Sequence, residues 1–213
     1  MSLTPDDPRQ GVYAPGASGD VARLIAAAPL AWLVSTEPFA ATPLPVTAVT
    51  GQADAVIRLD GHFSRRNPHV DILRRDPLAR FLFTGPNGYV SPSWMADRTQ
   101  APTWNFASLQ IAAKVRLIED EAGILASLDG LVATHESGRP NAWAPAEMGE
   151  RLNRLARGVV AFEADVLAVR PMFKLSQDDR DDVYVDILAA LDDKGPEDLA
   201  AWVRRANPGR AER

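Results

Sequence analysis

Two stretches of the 213-residue chain concentrate side chains able to hold a polar ligand. The first is Ser64-Arg65-Arg66-Asn67, where Asn67 can cap a helix and Pro68 suits its first turn. Free N–H groups and the positive end of the helix dipole favour an anion there. Two guanidiniums and a hydroxyl just upstream make it a candidate phosphate or carboxylate site. Two solvated arginines beside an ordinary cap are the competing explanation. His62, immediately before, is given a supporting role, because a lone His is more often structural than catalytic. The second stretch runs from Gly85 through Tyr89, Ser91, Ser93 and Trp94 to Thr103, Trp104 and Asn105. Flat rings, rigid prolines and short hydrogen-bonding groups suit a pocket wall. Composition alone favours a plainer reading, a Pro-stiffened loop with Trp94 and Trp104 as plugs on the core.

Other chemistries find no support. The chain has no cysteine, which removes disulfides, thiolate nucleophiles, iron–sulfur clusters and Cys-type zinc sites. His62, His69 and His135 match no zinc spacing. No Gly-x-Ser-x-Gly, Gly-x-Gly-x-x-Gly or P-loop is present. A net charge of −5 argues mildly against a nucleic-acid partner. The polar N-terminus is unlike a secretory signal and no apolar run reaches membrane-spanning length, so a cytoplasmic protein is expected.

The elements that must position these groups read as follows. Ser18 is a predicted cap for a short helix ending at Pro29. Strands are predicted over Leu30–Thr36, Phe39–Val49, Ala55–Phe63 and Leu78–Thr84, with Pro43 and Pro45 making the second an edge or bulged strand. A helix follows over His69–Arg75, and Pro86-Asn87-Gly88 reads as a tight turn. Phe106–Ile118 alternates as a strand, and Val159–Val169 is the last long one. Helical stripes fall at Ile124, Leu128, Leu131 and at Met148, Leu152, Leu155. His135, Glu136 and Arg139 read as a helix-end cluster. Two helices, around Asp182–Leu191 and Pro196–Asn207, close the chain. Strands with interspersed helices and little βαβ alternation predict one α+β domain around an antiparallel barrel.

Five motifs then occur in order: Gly61-His62-Phe63-Ser64-Arg65-Arg66-Asn67-Pro68, Tyr89-Val90-Ser91-Pro92-Ser93-Trp94, Pro102-Thr103-Trp104-Asn105, His135-Glu136 with Arg139, and Lys174-Leu175-Ser176-Gln177. Together they resemble the PaiB-like family of FMN-binding proteins, often labelled negative transcriptional regulators, over residues 12–191. The segment 192–213 is left as a C-terminal helix and tail. The resemblance implies an FMN-binding split barrel, an antiparallel split β-barrel with peripheral helices, acting as a homodimer with FMN in clefts between subunits. It implies that Ser64, Arg65 and the Asn67 helix start hold the FMN phosphate, with His62 beside them. Thr42 and Leu44 would lie on the edge strand along the flavin ring. Ser91, Ser93, Trp94, Thr103, Trp104 and Asn105 would wall the pocket, with Lys174, Ser176 and Gln177 reaching it from the same subunit or from its partner. Pro43, Phe106 and Asp178 stand where the family more often carries His, Tyr and Asn.

The leading expectation is therefore an FMN-binding flavoprotein with redox chemistry on a small molecule, the flavin carrying the electrons. No catalytic acid or base stands out. The alternatives are a transcriptional regulator, for which Arg204, Arg205, Arg210 and Arg213 offer a modest basic cluster, and a flavin-free scaffold of the same fold. A solvated helix face with a frayed tail explains that cluster equally well.

Overall fold

A computed structural model of the chain describes residues 11–196 and 198–210. Six strands, β1 (Leu30–Thr36), β2 (Phe39–Thr50), β3 (Val56–Ser64), β4 (Leu78–Val90), β5 (Thr103–Ile118) and β6 (Val159–Lys174), close a barrel in the order β1-β2-β3-β6-β5-β4. Every neighbouring pair is antiparallel. The helices are α1 (Asp20–Ala27), α2 (His69–Arg75), α3 (Glu121–Glu136), α4 (Arg151–Ala156), α5 (Asp181–Lys194) and α6 (Leu199–Ala206), all outside the barrel's strands. Among the described residues no helix is long and apolar enough to cross a membrane.

Strand period 2 sorts the side chains. Leu33, Leu44, Leu59, Phe63, Phe81, Phe83, Leu109, Ile111 and Phe162 are buried in the core. Phe162 sits among rings, with centroids 5.1 Å from Phe63 and 5.9 Å from Phe81. Gly61 is required beneath it, since a Cβ there would lie 2.7 Å from the Phe162 ring. Ile124, Leu128, Ala156 and Ala161 form a smaller cluster where α3 and α4 cover the sheet. At the other end α5 and α6 complete the main core with Tyr184, Ile187, Trp202 and Val203.

One strand changes neighbours along its length. Residues Phe39–Pro45 of β2 pair with β1, whereas Val46–Thr50 pair with β3. The barrel is split there, and the outer edge of the Phe39–Pro45 half faces α2 instead of another strand. Pro43 and Pro45 lie in that half, where absent N–H groups cost no ladder bonds on the open side. The predicted edge character of this segment is thus realised inside a closed barrel.

Three local expectations differ. Ser18 does not cap α1; Gly19 precedes the helix without a side-chain bond, and the Asp20 carboxylate accepts from the Ala17 N–H at 2.8 Å. Pro86-Asn87-Gly88 is not a hairpin turn. It is a bulge within β4, whose pairing with β5 shifts register between Thr84 and Asn87 and resumes to Val90. The ladder wins over turn propensity because β5 offers partners on both sides of the irregularity. β6 also runs five residues beyond Val169, to Lys174, pairing Phe106 of β5.

Replacing Phe162 with Ala removes a fully buried ring from this interior. The expected loss is about 3–5 kcal/mol of unfolding free energy in urea denaturation; a loss below ~1 kcal/mol would mean the barrel interior is not packed around it.

Candidate functional site

The notch beside the open half of β2 gathers one group of polar residues. Thr42, on that edge, has its Oγ1 2.9 Å from His69 Nδ1, and Asn67 Nδ2 donates to it at 3.4 Å. Asn67 also works as the expected cap, its Oδ1 accepting the His69 N–H at 2.9 Å. The other ring nitrogen of His69 lies 3.0 Å from Ser35 Oγ on β1. Leu44, two residues along from Thr42, turns into the core. Sequence reasoning missed His69 and Ser35. The signal was their parity: Ser35 continues the inward series Ala31, Leu33, and His69 shares the buried face of α2 with Ile72 and Leu73.

Ser64 and Arg65 close β3 at the same end. Arg65 donates to the carbonyls of Arg157 (3.1 Å) and Val159 (2.9 Å), joining the corner to the start of β6. Neither Arg65 nor Arg66 has a carboxylate partner among the described residues. Arg58, Arg74, Arg116 and Arg180 all do. A small groove of about 80 Å³ beside Arg65 is edged by Glu119 and Glu121, and Glu119 is held by Arg74 at 2.7 Å. His62, two residues before Ser64, keeps a buried Nδ1 with no hydrogen-bond partner among the described residues. Burial pushes the His62 and His69 imidazoles below their ordinary range, so both are neutral at neutral pH.

A second group lies at the far end of β6. Lys174 Nζ bonds to Thr103 Oγ1, and Phe106 is its cross-strand neighbour. Trp104 is half-exposed, pairs with Tyr89 across β4–β5 at 6.0 Å between ring centroids, and donates its indole N–H to Asn87 Oδ1 at 3.2 Å. It is therefore not a plug. Trp94 comes closer to that role, packing against the core from its partly buried position. Ser91 and Ser93 bond to each other at 2.8 Å in a short 3-10 turn.

Three residues of this group spend their polar atoms internally. Asn105, 1% exposed, donates to Ser176 Oγ at 2.8 Å. Gln177 accepts the Leu175 N–H at 2.7 Å and donates to the Phe173 carbonyl at 2.5 Å. Ser176 itself takes a left-handed backbone conformation, with φ at 67°. The C-terminal segment then locks this loop from outside. Arg210 donates to the carbonyls of Ser176 (2.9 Å) and Asp179 (2.8 Å), pairs with Asp181 at 2.7 Å, and lies 4.2 Å from the centre of the Tyr184 ring. Asn207 donates to Leu175 O at 2.8 Å. Asp178, where the family more often has Asn, accepts from the Tyr13 hydroxyl at 2.8 Å.

The basic C-terminal cluster is thus not a solvated face. Arg204 pairs with Asp192, Arg205 with the buried Asp20, and Arg210 with Asp181. Arg213 lies outside the described residues. His135, Glu136 and Arg139 end α3 as expected, Arg139 pairing Glu136 at 3.1 Å and the Trp143 N–H bonding the same carboxylate at 3.0 Å. Among the described residues no group of three His, Asp or Glu side chains is placed to hold a metal.

Two outcomes follow from this geometry. Asn105→Ala leaves the Ser176 hydroxyl buried without its donor, at an expected cost of about 1–3 kcal/mol. Urea denaturation reads that cost, and faster tryptic cleavage at Lys174 or Arg180 reads the loosened loop; unchanged stability and cleavage would contradict it. Because folding lowers the affinity of His62 and His69 for protons, the unfolded chain binds more protons below its ordinary value of 6.5. Stability should therefore fall as pH drops through that value, by at most about 1.4 kcal/mol per pH unit for each imidazole. Replacing both with Asn should flatten that limb.

Relatives agree with this architecture. A family described as "Putative FMN-binding domain" matches residues 11–168. The "Protease synthase and sporulation protein PAI 2" of Bacillus subtilis is 25% identical over 134 residues, 62% of this chain and 64% of that protein. An uncharacterized protein of Saccharomyces cerevisiae, YKL070W, is 33% identical over 88 residues, 39% of this chain and 52% of its own. The chain thus spans less than two thirds of either relative. Among solved structures, the FAD and heme binding protein from Mycobacterium smegmatis superposes with a TM-score of 0.54 at 16% identity, covering 73% of this chain and 70% of that one. The flavocytochrome Anf3 from Azotobacter vinelandii gives 0.53 at 16% identity, with 71% and 64% covered. Those two likenesses show the shared split-barrel fold. With the family match spanning most of the barrel and all but the end of β6, the chain belongs to the PaiB-like FMN-binding family, and FMN is its cofactor.

Proposed function

We propose that this protein is a flavoprotein in which FMN lies between two copies of the chain and serves redox chemistry on a small molecule. One observation carries the reading. The notch residues sit at the start of β6, beside Val159, and the Lys174 group sits at its end. Fifteen residues separate them, about 50 Å of strand path. One chain does not bring the two groups around one ring system; a second copy, turned against the first, can.

The outer face of β1, β4 and β5 supports such a pairing. Trp32 and Leu82 are cross-strand neighbours, and Tyr89 and Trp104 continue the same outer face along β4 and β5. All four are among the exposed large apolar residues. Exposed aromatics of this extent mark interaction surfaces.

The donor set fits the cofactor. At the corner, Ser64 offers a hydroxyl, and Arg65 and Arg66 offer guanidiniums without a carboxylate partner among the described residues, which suits a phosphate monoester. His62 Nδ1 is buried without a hydrogen-bond partner among the described residues. The open edge of β2 presents main-chain groups and the Thr42 hydroxyl to a ring edge. When bound, FMN supplies one- and two-electron transfer; the residues here bind it, orient it and exclude water. Among the described residues the basic cluster offers little to a regulator of transcription, because Arg204, Arg205 and Arg210 are already paired within the chain.

The phosphate reading is tested with two ligands. Arg65→Ala and Arg66→Ala should each weaken FMN about 10- to 100-fold, the range of one charge-assisted hydrogen bond, while riboflavin affinity barely moves. Equal losses for both ligands would remove the arginines from that role. Light scattering should give twice the 23.1 kDa of one chain, and Trp32→Glu should yield monomers that bind FMN poorly. Monomers that hold FMN tightly would contradict the two-copy site.

A further inference from the structure

The ligand-binding roles assigned so far do not use the buried imidazole of His69. It lies 2.9 Å from Thr42 Oγ1 through Nδ1 and 3.0 Å from Ser35 Oγ through Nε2. Burial holds it neutral, so one nitrogen donates and the other accepts. The two hydroxyls are thereby coupled. If Ser35 donates into Nε2, Nδ1–H donates to Thr42, and the Thr42 hydrogen is free to point into the notch. If Thr42 donates into Nδ1, its remaining lone pair faces the notch instead. In both arrangements Asn67 Nδ2 occupies another direction at the Thr42 oxygen. The hydroxyl cannot rotate freely; it meets a ligand with a set orientation.

The His69 ring is bonded at both nitrogens. Here it spans two strands, and the atom it fixes on one side belongs to the open half of β2, which no strand covers. Thr42 is half-buried, whereas Ser35 is sealed inside. We infer that His69 is a positioning residue for the flavin site, setting the direction in which the Thr42 hydroxyl meets the ring edge of FMN. This rests on the flavin reading above.

The test uses side chains that keep one end of the imidazole each. Asn at position 69 places an amide near the Nδ1 position and keeps a partner for Thr42. Gln places it near Nε2 and keeps one for Ser35 only. FMN is titrated into each apoprotein by flavin fluorescence, with the thermal midpoint of every apoprotein measured alongside. His69→Gln and Thr42→Val should each raise Kd about tenfold, the size of one lost hydrogen bond. His69→Asn should stay within about threefold of wild type, and Ser35→Ala within about twofold. The double variant Thr42→Val/His69→Gln should bind no worse than Thr42→Val alone, since the imidazole acts through that hydroxyl. A merely structural role would lower the thermal midpoint and multiply the two losses, which would overturn the inference. Wild-type affinity in His69→Gln would also overturn it while leaving the flavin reading intact. Failure of the wild-type protein to bind FMN would sink both.

Discussion

The structure turns on a change of partner at Pro45–Val46. Up to that point β2 belongs to β1, and after it to β3. A strand can do this only if the sheet opens, because the departing half leaves one row of backbone groups without a ladder. The molecule blunts that edge with Pro43 and Pro45 and with α2, whose Asn67 and His69 reach over to Thr42. The same opening sets the Thr42 edge against Asn67 and His69. Everything assigned to ligand binding at this end lies within a few residues of it.

Charge is distributed with the same economy. Ion pairs engage Arg58, Arg74 and Arg180, and in the C-terminal segment Arg204, Arg205 and Arg210. Arg65 donates to two carbonyl oxygens beside the groove that Glu119 and Glu121 edge, and Arg66 is exposed, one strand end away from the open edge. At the opposite end the polar residues are turned inward to freeze a loop, so Lys174 and the Tyr89–Trp104 pair are what that end presents. The proposed site, made from one end of each of two copies, would reconcile these halves. It also accounts for an aromatic belt that a lone barrel would have little reason to expose.

Much of this was legible in the chain. The apolar run over Leu30–Thr36 and the alternation over Phe106–Ile118 placed strands where they lie, and the prolines of β2 located the open edge. What stayed hidden depends on long-range pairing. The bulge at Pro86–Gly88 looks like a turn locally, and only β5 makes it a continuation. Arg210 reads as a frayed tail, because its partners Ser176, Asp179 and Asp181 are about thirty residues away. His69 reads as an ordinary first-turn residue, since its two hydroxyl partners come from strands more than twenty-five residues upstream. The family resemblance marked Asn105, Ser176 and Gln177 as site residues; only geometry distinguishes a polar lock from a ligand contact.

The central claim, that the split in this barrel is a flavin site, is tested most directly by a visible spectrum. The purified chain is incubated with FMN, freed of excess by gel filtration, and scanned. The account predicts retained flavin absorption with a perturbed band shape, close to one FMN per chain, eluting with the protein. A colourless protein that takes up no FMN would contradict it.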